Sequence, residues 1–357
     1  MRVNPKLLLI ILAVSVVSML YWQITGHSDT GLHGLHYPEK KPVDPVKPDP
    51  CKTCRDNAII DELLKKYSPR WKKHEANFNK FRSLLSRSCH GASKAVVTQA
   101  NTPVGTKLVY DGEKTKQLEV TPALFKTFSK VQPFGNATWE TCAVVGNGGI
   151  LTNSSCGENI NSADFIIRCN LPPLGSHYEK DVGNQTGLVT ANPSILVEKF
   201  GALNERRRPF VESLRPYGDS LLLLPAFSYS PNTPVSLRAV YTLEDFNVVG
   251  PRPVFLNPEY LRSLAKFWKG LGLRATRLST GIIVVSMALE LCNNVNLYGF
   301  WPFSLHPNGR QPITNHYYDD RQTKKNVHSM PNEFQQLLKL HNQGVIRLHL
   351  GDCSATH

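Results

Sequence analysis

The chain has 357 residues, 41% of them hydrophobic, and a formal net charge of +13. That length and composition suit a globular core of one large domain or two modest ones. The positive excess would serve nucleic acid, an anionic membrane or an anionic small substrate. The basic residues are scattered, however, as in "ERRRPF" and "RQTKK", with no long basic helix and no aromatic RNA-reading signature, which argues against nucleic acid.

The N-terminus "MRVNPKLLLIILAVSVVSMLYWQITG" carries Arg2 and Lys6, then an apolar run from Leu7 to Trp22, and no further Lys or Arg until Lys40. This charge asymmetry keeps the first residues in the cytosol and sends the rest across a membrane. A cleaved signal peptide is the competing reading. The run is long for one, and Tyr21 and Trp22 stand where small cleavage-site residues are wanted. The expectation is a cytosolic tail over 1–6, a single-pass anchor over 7–24 and a lumenal remainder. An apolar run this short fits a thin early-secretory or Golgi membrane better than a full ~30 Å hydrocarbon core.

Residues 25–55 contain "YPEKKPVDPVKPDP", whose alternating proline and charge give an extended spacer, a stem, below a domain over 56–357. In an oxidising lumen the eight cysteines default to disulfides. Cys51 and Cys54 form a CxxC, but no second CxxC or suitably spaced His pair accompanies it, so zinc or redox chemistry is weakly signalled. Sequons at Asn136, Asn153 and Asn184 agree with a glycosylated lumenal chain. "IIDELLKKY" and "FNKFRSLLSRS", within 56–88, place apolar residues at helical spacing.

From about residue 140 the texture becomes α/β. "CAVVGN", "ADFIIRCN", "GLVTANP", "LLLLPAF", "RPVFLNP", "NVNLYGF" and "VIRLHL" read as buried strands, each of the first six ending in a polar or small turn. "NPEYLRSLAKFWKGLG", "TGIIVVSMALELC" and "MPNEFQQLLKLHNQG" read as helices. Alternation of this kind predicts a mostly parallel sheet with helices on both faces. Ligands then sit beyond the carboxyl ends of the strands, so the turns after "AVV", "IIRC", "LVT" and "NLYGF" are expected to converge.

Three stretches carry chemistry. Gly146-Asn147-Gly148-Gly149 follows the first of these strands; it reads as a tight turn needing positive φ, or as a backbone brought close to a phosphate. A dinucleotide fingerprint would need glycine where Leu151 stands, which breaks the match and argues against a nucleotide-dependent oxidoreductase. Asn147 and Asn170, at adjacent strand ends, read as turn residues or as amides for a sugar, base or phosphate. Ser279 or Thr280 is well placed to cap an apolar helix; that end reads as an N-cap alone or as an anion site. "HYYDD" at 316–320 and "HSMPNEF" at 328–334 place His316 and His328 in polar segments; they read as surface histidines or as groups able to move a proton near neutral pH. No DxD or HExxH occurs, so no metal is signalled.

Taken together, these stretches resemble the animal sialyltransferases. "CAVVGNGGILTNSSCGENINSADFIIRCNLPPLGSHYEKDVGNQTGLVTANPSIL" looks like their long sialylmotif and "RLSTGIIVVSMALELCNNVNLYGFWPF" like the short one. "HYYDD" matches the third motif, and His328 with Glu333 the very short one. "NGGIL", "RCNLPP" and "NTPVGTKLVYD" resemble the α-2,8 branch and its members acting on glycolipids or O-glycans. The resemblance implies a type II Golgi enzyme with a modified GT-A, Rossmann-like sheet. Its donor would be CMP-sialic acid, and its acceptor a terminal sialic acid on a glycolipid or glycoprotein glycan. Donor contacts carry over to Asn147, Asn170, Ser279, Thr280, Gly281, Trp301 and His316, and the general base to His328; Trp301 equally suits a core position. Disulfides carry over as Cys142–Cys292 and Cys156–Cys353, leaving Cys51, Cys54, Cys89 and Cys169 unassigned. No cofactor or metal is implied. A non-catalytic Golgi glycan-binding protein would keep the sugar contacts but need no base, and a family member of other linkage or acceptor class would keep all four motifs.

Overall fold

The computed structural model describes residues 50–67, 70–135, 138–321 and 330–354. The predicted tail, anchor and most of the stem, together with Asn136 and His328, lie outside those residues. The chain divides into two units, Met1–Thr53 and Cys54–His357, and the second is described below. No helix among the described residues is long and apolar enough to cross a membrane.

The predicted strands form one seven-stranded sheet. In chain order they are β3 (Trp139–Val145), β4 (Phe165–Arg168), β5 (Leu188–Thr190), β6 (Leu221–Leu224), β7 (Arg252–Phe255), β8 (Cys292–Tyr298) and β9 (Arg347–Leu348). Their spatial order is β7-β6-β5-β4-β3-β8-β9, and every neighbouring pair is parallel. The chain therefore winds outward from β3 to β7 and returns to β8 on the other flank of β3. The order reverses at β3, a topological switch point, where open parallel sheets bind their ligands. Two short strands, β1 (Lys107–Val109) and β2 (Gln117–Glu119), form a separate antiparallel hairpin.

Both faces of the sheet are covered, which is why its strands read as continuous apolar runs rather than alternating ones. Val144, Ile167, Leu188, Leu223, Val254 and Leu297 point into one core. That side is closed by helices α2 (Glu75–Cys89), α9 (Pro258–Gly270), α10 (Thr280–Leu291) and α11 (Met330–Asn342), through Phe78, Trp268, Val284 and Leu337 among others. Val145, Ile166, Val189, Leu222 and Tyr298 point the other way. There α4 (Gly157–Asn161), α5 (Ser176–Val182), α6 (Pro193–Glu198), α7 (Arg207–Leu214) and α8 (Asn232–Asp245) supply Ile160, Val182, Leu196, Phe210 and Ala239. The remaining helices are α1 (Pro50–Lys66) and the short α3 (Pro122–Lys126).

Disulfides join Cys142 to Cys292 and Cys156 to Cys353, while Cys89 and Cys169 are free and buried. Asn153 and Asn184 are exposed, as glycosylation requires, and Asn184 donates to Glu179.

One buried carboxyl is costly. Glu290, in the last turn of α10, is 9% exposed and accepts the Tyr260 hydroxyl at 3.1 Å. Burial pushes its pKa from 4.5 to about 7, against the pull of the Tyr260 hydroxyl, the Ala92 amide and the Arg82 guanidinium. A carboxyl with a raised folded-state pKa stabilises the fold fully below its unfolded value and loses that contribution as pH rises through the folded one. Glu290→Gln is thus expected to remove a fall in stability between about pH 4.5 and 7 and to leave the variant more stable at neutral pH, by on the order of 3 kcal/mol. Denaturant melts of both proteins at pH 5 and 7.5 check this; equal differences at the two pH values would overturn it.

Candidate active site

The carboxyl ends of β3, β4, β5 and β8 converge with the start of α10, as the turn pattern predicts. At the switch point, Gly146 N–H donates to Tyr298 O at 2.8 Å and Gly148 N–H to Gly299 O at 3.0 Å. The glycines of this turn do not adopt positive φ, contrary to one sequence expectation; Gly148 has φ −56°. They are required because another backbone lies against them. A Cβ on Gly146 or Gly148 would stand 2.8 or 2.5 Å from Gly299 O, and one on Gly149 would overlap the Thr314 carbonyl. The close approach anticipated for a phosphate is thus taken in part by the chain itself.

Asn147, half-buried, hangs from this turn. Its Nδ2 donates to Cys169 O at 2.9 Å and to the Tyr318 hydroxyl at 3.3 Å, while its Oδ1 is shut off from solvent and has no hydrogen bond among the described residues. An unpaired buried acceptor is costly and marks a place for a donor. Asn170, at φ +62°, turns the chain after β4, and its Oδ1 accepts Asn192 N–H at 3.0 Å. Asn192 Oδ1 in turn accepts the Thr280 hydroxyl at 3.1 Å. One relay therefore links the ends of β4 and β5 to α10.

Ser279 is the N-cap of α10: its Oγ accepts Ile282 N–H at 3.2 Å. Its own N–H donates to Glu333 Oε1, on α11, at 2.9 Å. The amides of Thr280 and Gly281 make no hydrogen bond among the described residues, and no acidic residue stands in the first turn. Free amides at the positive end of a twelve-residue helix form an anion site. Gly281 is also needed for room, since its Cβ would press on Phe300 at 2.9 Å.

His316 lies at the same edge of the sheet, beside the glycine turn. Its backbone bridges to Gly148, and Tyr317 N–H donates to Asn147 O at 2.9 Å. Its Nδ1 meets Asp319 Oδ1 at 2.6 Å, and its ring stacks on Tyr318. Burial raises the Asp319 pKa, but His316, Arg321 and the Arg321 amide outweigh it, so the carboxyl stays below its ordinary value. Behind the crevice, Arg168 is fully buried, donating to Val182 O, Gln185 O and Thr186 Oγ1. None of these partners is a carboxylate, so its charge biases the crevice toward anions; burial lowers its pKa to about 10.

Of the predicted residues, the structure gathers Asn147, Asn170, Ser279, Thr280, Gly281 and His316. Trp301 takes the core position that the sequence equally allowed: its ring is 4% exposed, packs edge-on against Phe303 and Phe334, and its Nε1 donates to Leu305 O. Asn192 and Arg168 join the site without a sequence signal of their own, apart from the N-cap pattern Asn192-Pro193, while Tyr318 joins it from within "HYYDD". No group of three His, Cys, Asp or Glu side chains able to hold a metal occurs among the described residues.

The sequence model of glycosyltransferase family 29 (sialyltransferase) matches residues 96–345. Over 301 residues the chain is 46% identical to α-2,8-sialyltransferase 8E of Homo sapiens, covering 84% of this chain and 79% of that one. It is 44% identical over 283 residues to α-2,8-sialyltransferase 8F of Homo sapiens, covering 79% and 71%. Over 295 residues it is 44% identical to α-N-acetylneuraminide α-2,8-sialyltransferase of Xenopus tropicalis, covering 83% and 84%.

Proposed function

The chain belongs to glycosyltransferase family 29, the sialyltransferases, and from that premise we propose that it transfers sialic acid from CMP-sialic acid to a terminal sialic acid of a glycolipid or glycoprotein glycan, forming an α-2,8 linkage. The linkage follows the names of its relatives. The observation that carries the donor assignment is the switch-point edge of the sheet: the start of α10, whose Thr280 and Gly281 amides make no hydrogen bond among the described residues, is tied through Asn192 to Asn170, and the His316 backbone bridges to Gly148 beside Asn147. An anionic, hydrogen-bonding nucleotide suits that set.

The reaction is a single displacement. The acceptor oxygen bonds to the anomeric carbon, the bond from that carbon to the phosphate oxygen breaks, and CMP leaves with inversion. His328 takes the acceptor proton. The α10 N-terminus and His316 offset the charge that develops on the leaving phosphate. Glu333, near the start of α11, holds the Ser279 amide and so ties the cap to the helix that follows the His328 segment. The catalytic unit works in the Golgi lumen on a type II anchor, a placement that rests on the charge pattern of the first 26 residues.

Transfer by the full chain is expected to survive EDTA, because helix amides and a histidine stand where a cation would otherwise neutralise the phosphate. Product release from CMP-sialic acid, measured with a sialylated acceptor and with chelator present, checks both acceptor and metal independence. Loss of transfer restored by a divalent ion would overturn the second, and transfer only to unsialylated glycans the first.

A further inference from the structure

The edge of the sheet formed by β8 and β9 borders a pocket of about 790 Å³ that shares no residue with the donor site. Asn296 and Tyr298 alternate on β8 and so face the same way, and Arg347 of β9 stands opposite Asn296. His349 follows on that face: its ring stacks on Tyr298 at 4.3 Å, and its Nε2 meets Asn296 Oδ1 at 3.3 Å. The outer wall is aromatic. Tyr67, beyond α1, donates from its hydroxyl to Leu348 O at 2.9 Å, and Tyr67 and Trp71 both stack on His341 of α11.

Two polar groups on this lining have no partner. The Arg347 guanidinium is half-buried and makes no hydrogen bond or ion pair among the described residues; its field falls on Tyr67, Tyr298 and His349. Asp352 is the acidic residue of the lining, and its carboxylate accepts the Ser354 amide at 2.8 Å and hydroxyl at 2.7 Å rather than pairing with Arg347. His349 adds no charge, because burial and the neighbouring Arg347 push its pKa down to about 3. Tyr298 is 3% exposed, and its hydroxyl also makes no hydrogen bond among the described residues. Burial raises its pKa to about 12, so it remains a neutral donor.

A charge that only guards an edge strand stands out in solvent. Arg347 lines a walled pocket instead, and unpaired groups there call for a ligand that brings acceptors, one of them charged. A single guanidinium fork fits a carboxylate with two parallel hydrogen bonds. The Tyr298 hydroxyl and the Asn296 and Asn308 amides suit the hydroxyls of a sugar ring, and the volume suits one or two such rings. We infer that this pocket is a second glycan site, in which Arg347 holds the carboxylate of a sialic acid and Tyr298 and Asn296 hold its hydroxyls. Taking sialic acid as the acidic sugar rests on the reading of the acceptor as sialylated. The sugar comes either from the acceptor chain, inward of the end being extended, or from a separate glycan. Tyr298 O accepts Gly146 N–H, so the pocket begins next to the glycine turn of the donor site.

The test is photolabelling of the full chain, with CMP present, by sialyllactose carrying a diazirine at its glucose end, followed by digestion and mass spectrometry. Label is expected in peptides from 296–308 and 341–354, and a lactose probe should not place it there. Arg347→Ala should lower that label roughly ten- to a hundredfold, the range for hydrogen bonds to a charged group. Arg347→Lys, with charge but no fork, should fall between. CMP affinity by calorimetry should match in all three proteins, which reads folding; if the alanine variant does not bind CMP, the lysine variant carries the comparison. Transfer to lactosides bearing one or two sialic acids separates the sources. A fall of kcat/KM in the variants confined to the disialylated lactoside assigns the sugar to the acceptor chain, and unchanged rates with both assign it to a separate glycan; either supports the site. No label in those peptides, equal labelling by lactose, or label undiminished in every CMP-binding variant overturns the inference and leaves the functional reading intact. A natural chain that is labelled there but transfers to no sialylated acceptor overturns the functional reading and leaves the pocket a site for acidic sugars.

Discussion

His328→Ala is expected to lower sialic acid transfer by roughly 10²–10⁴-fold, the usual worth of a general base, with CMP affinity unchanged. A general base would act on the acceptor hydroxyl and not on the nucleotide, so its loss would belong to turnover. His316→Ala should behave differently. Its imidazole is held by Asp319 at 2.6 Å and stacked on Tyr318, and its backbone bridges to Gly148 at the switch point. As the proposed phosphate partner it would act in ground state and transition state alike, so CMP binding should weaken about tenfold along with the rate. The natural enzyme should also slow at acidic pH, as a protonated base can no longer accept a proton. Calorimetry with CMP and product release on both variants separate the roles. His328→Ala losing CMP while His316→Ala keeps it would exchange them, and normal transfer by His328→Ala would leave "HSMPNEF" without a catalytic part.

How much of this arrangement is legible in the chain depends on the range of the forces involved. The sheet strands are readable because both faces are buried: runs such as Leu221–Leu224 have no polar side to hide. The convergence of Asn147, Asn170 and the Ser279 cap is readable because it follows from parallel topology, which brings strand ends to one edge. The helix α8 is hidden by Thr233, Pro234 and Ser236 near its start; only its buried Val235, Ala239, Val240 and Leu243 betray a helical face. Asn192 and Arg168 escape because their roles are made by contacts remote in sequence, to Thr280 in one case and to the 182–186 segment in the other. The glycine turn shows the opposite limit. That a backbone must come close is written in Gly146, Gly148 and Gly149, but that it is the chain's own, at Gly299 and Thr314, is not.

The second large effect concerns Cys142 and Cys292. Cys142 lies in β3 and Cys292 opens β8, neighbours in the sheet although 150 residues apart. Between them run β4 to β7 and α10, so the bond closes the whole outward and return path of the chain around the switch point. In the chain-entropy model, opening a loop of that length releases roughly 4–5 kcal/mol of denatured-state entropy. That approaches the total stability of an ordinary domain, about 5–15 kcal/mol. The double replacement Cys142→Ala with Cys292→Ala is expected to abolish accumulation of folded enzyme or, where some folds, to lower its Tm by roughly 10 °C. Both sulfurs are fully buried, so part of the loss would be packing rather than entropy. The valine pair restores the volume and not the bond, and separates the two: it should recover only the smaller, packing share. A valine pair as stable as the natural chain would sink the entropic account. Maleimide labelling of both thiols after unfolding without reductant would show that the bond itself is absent.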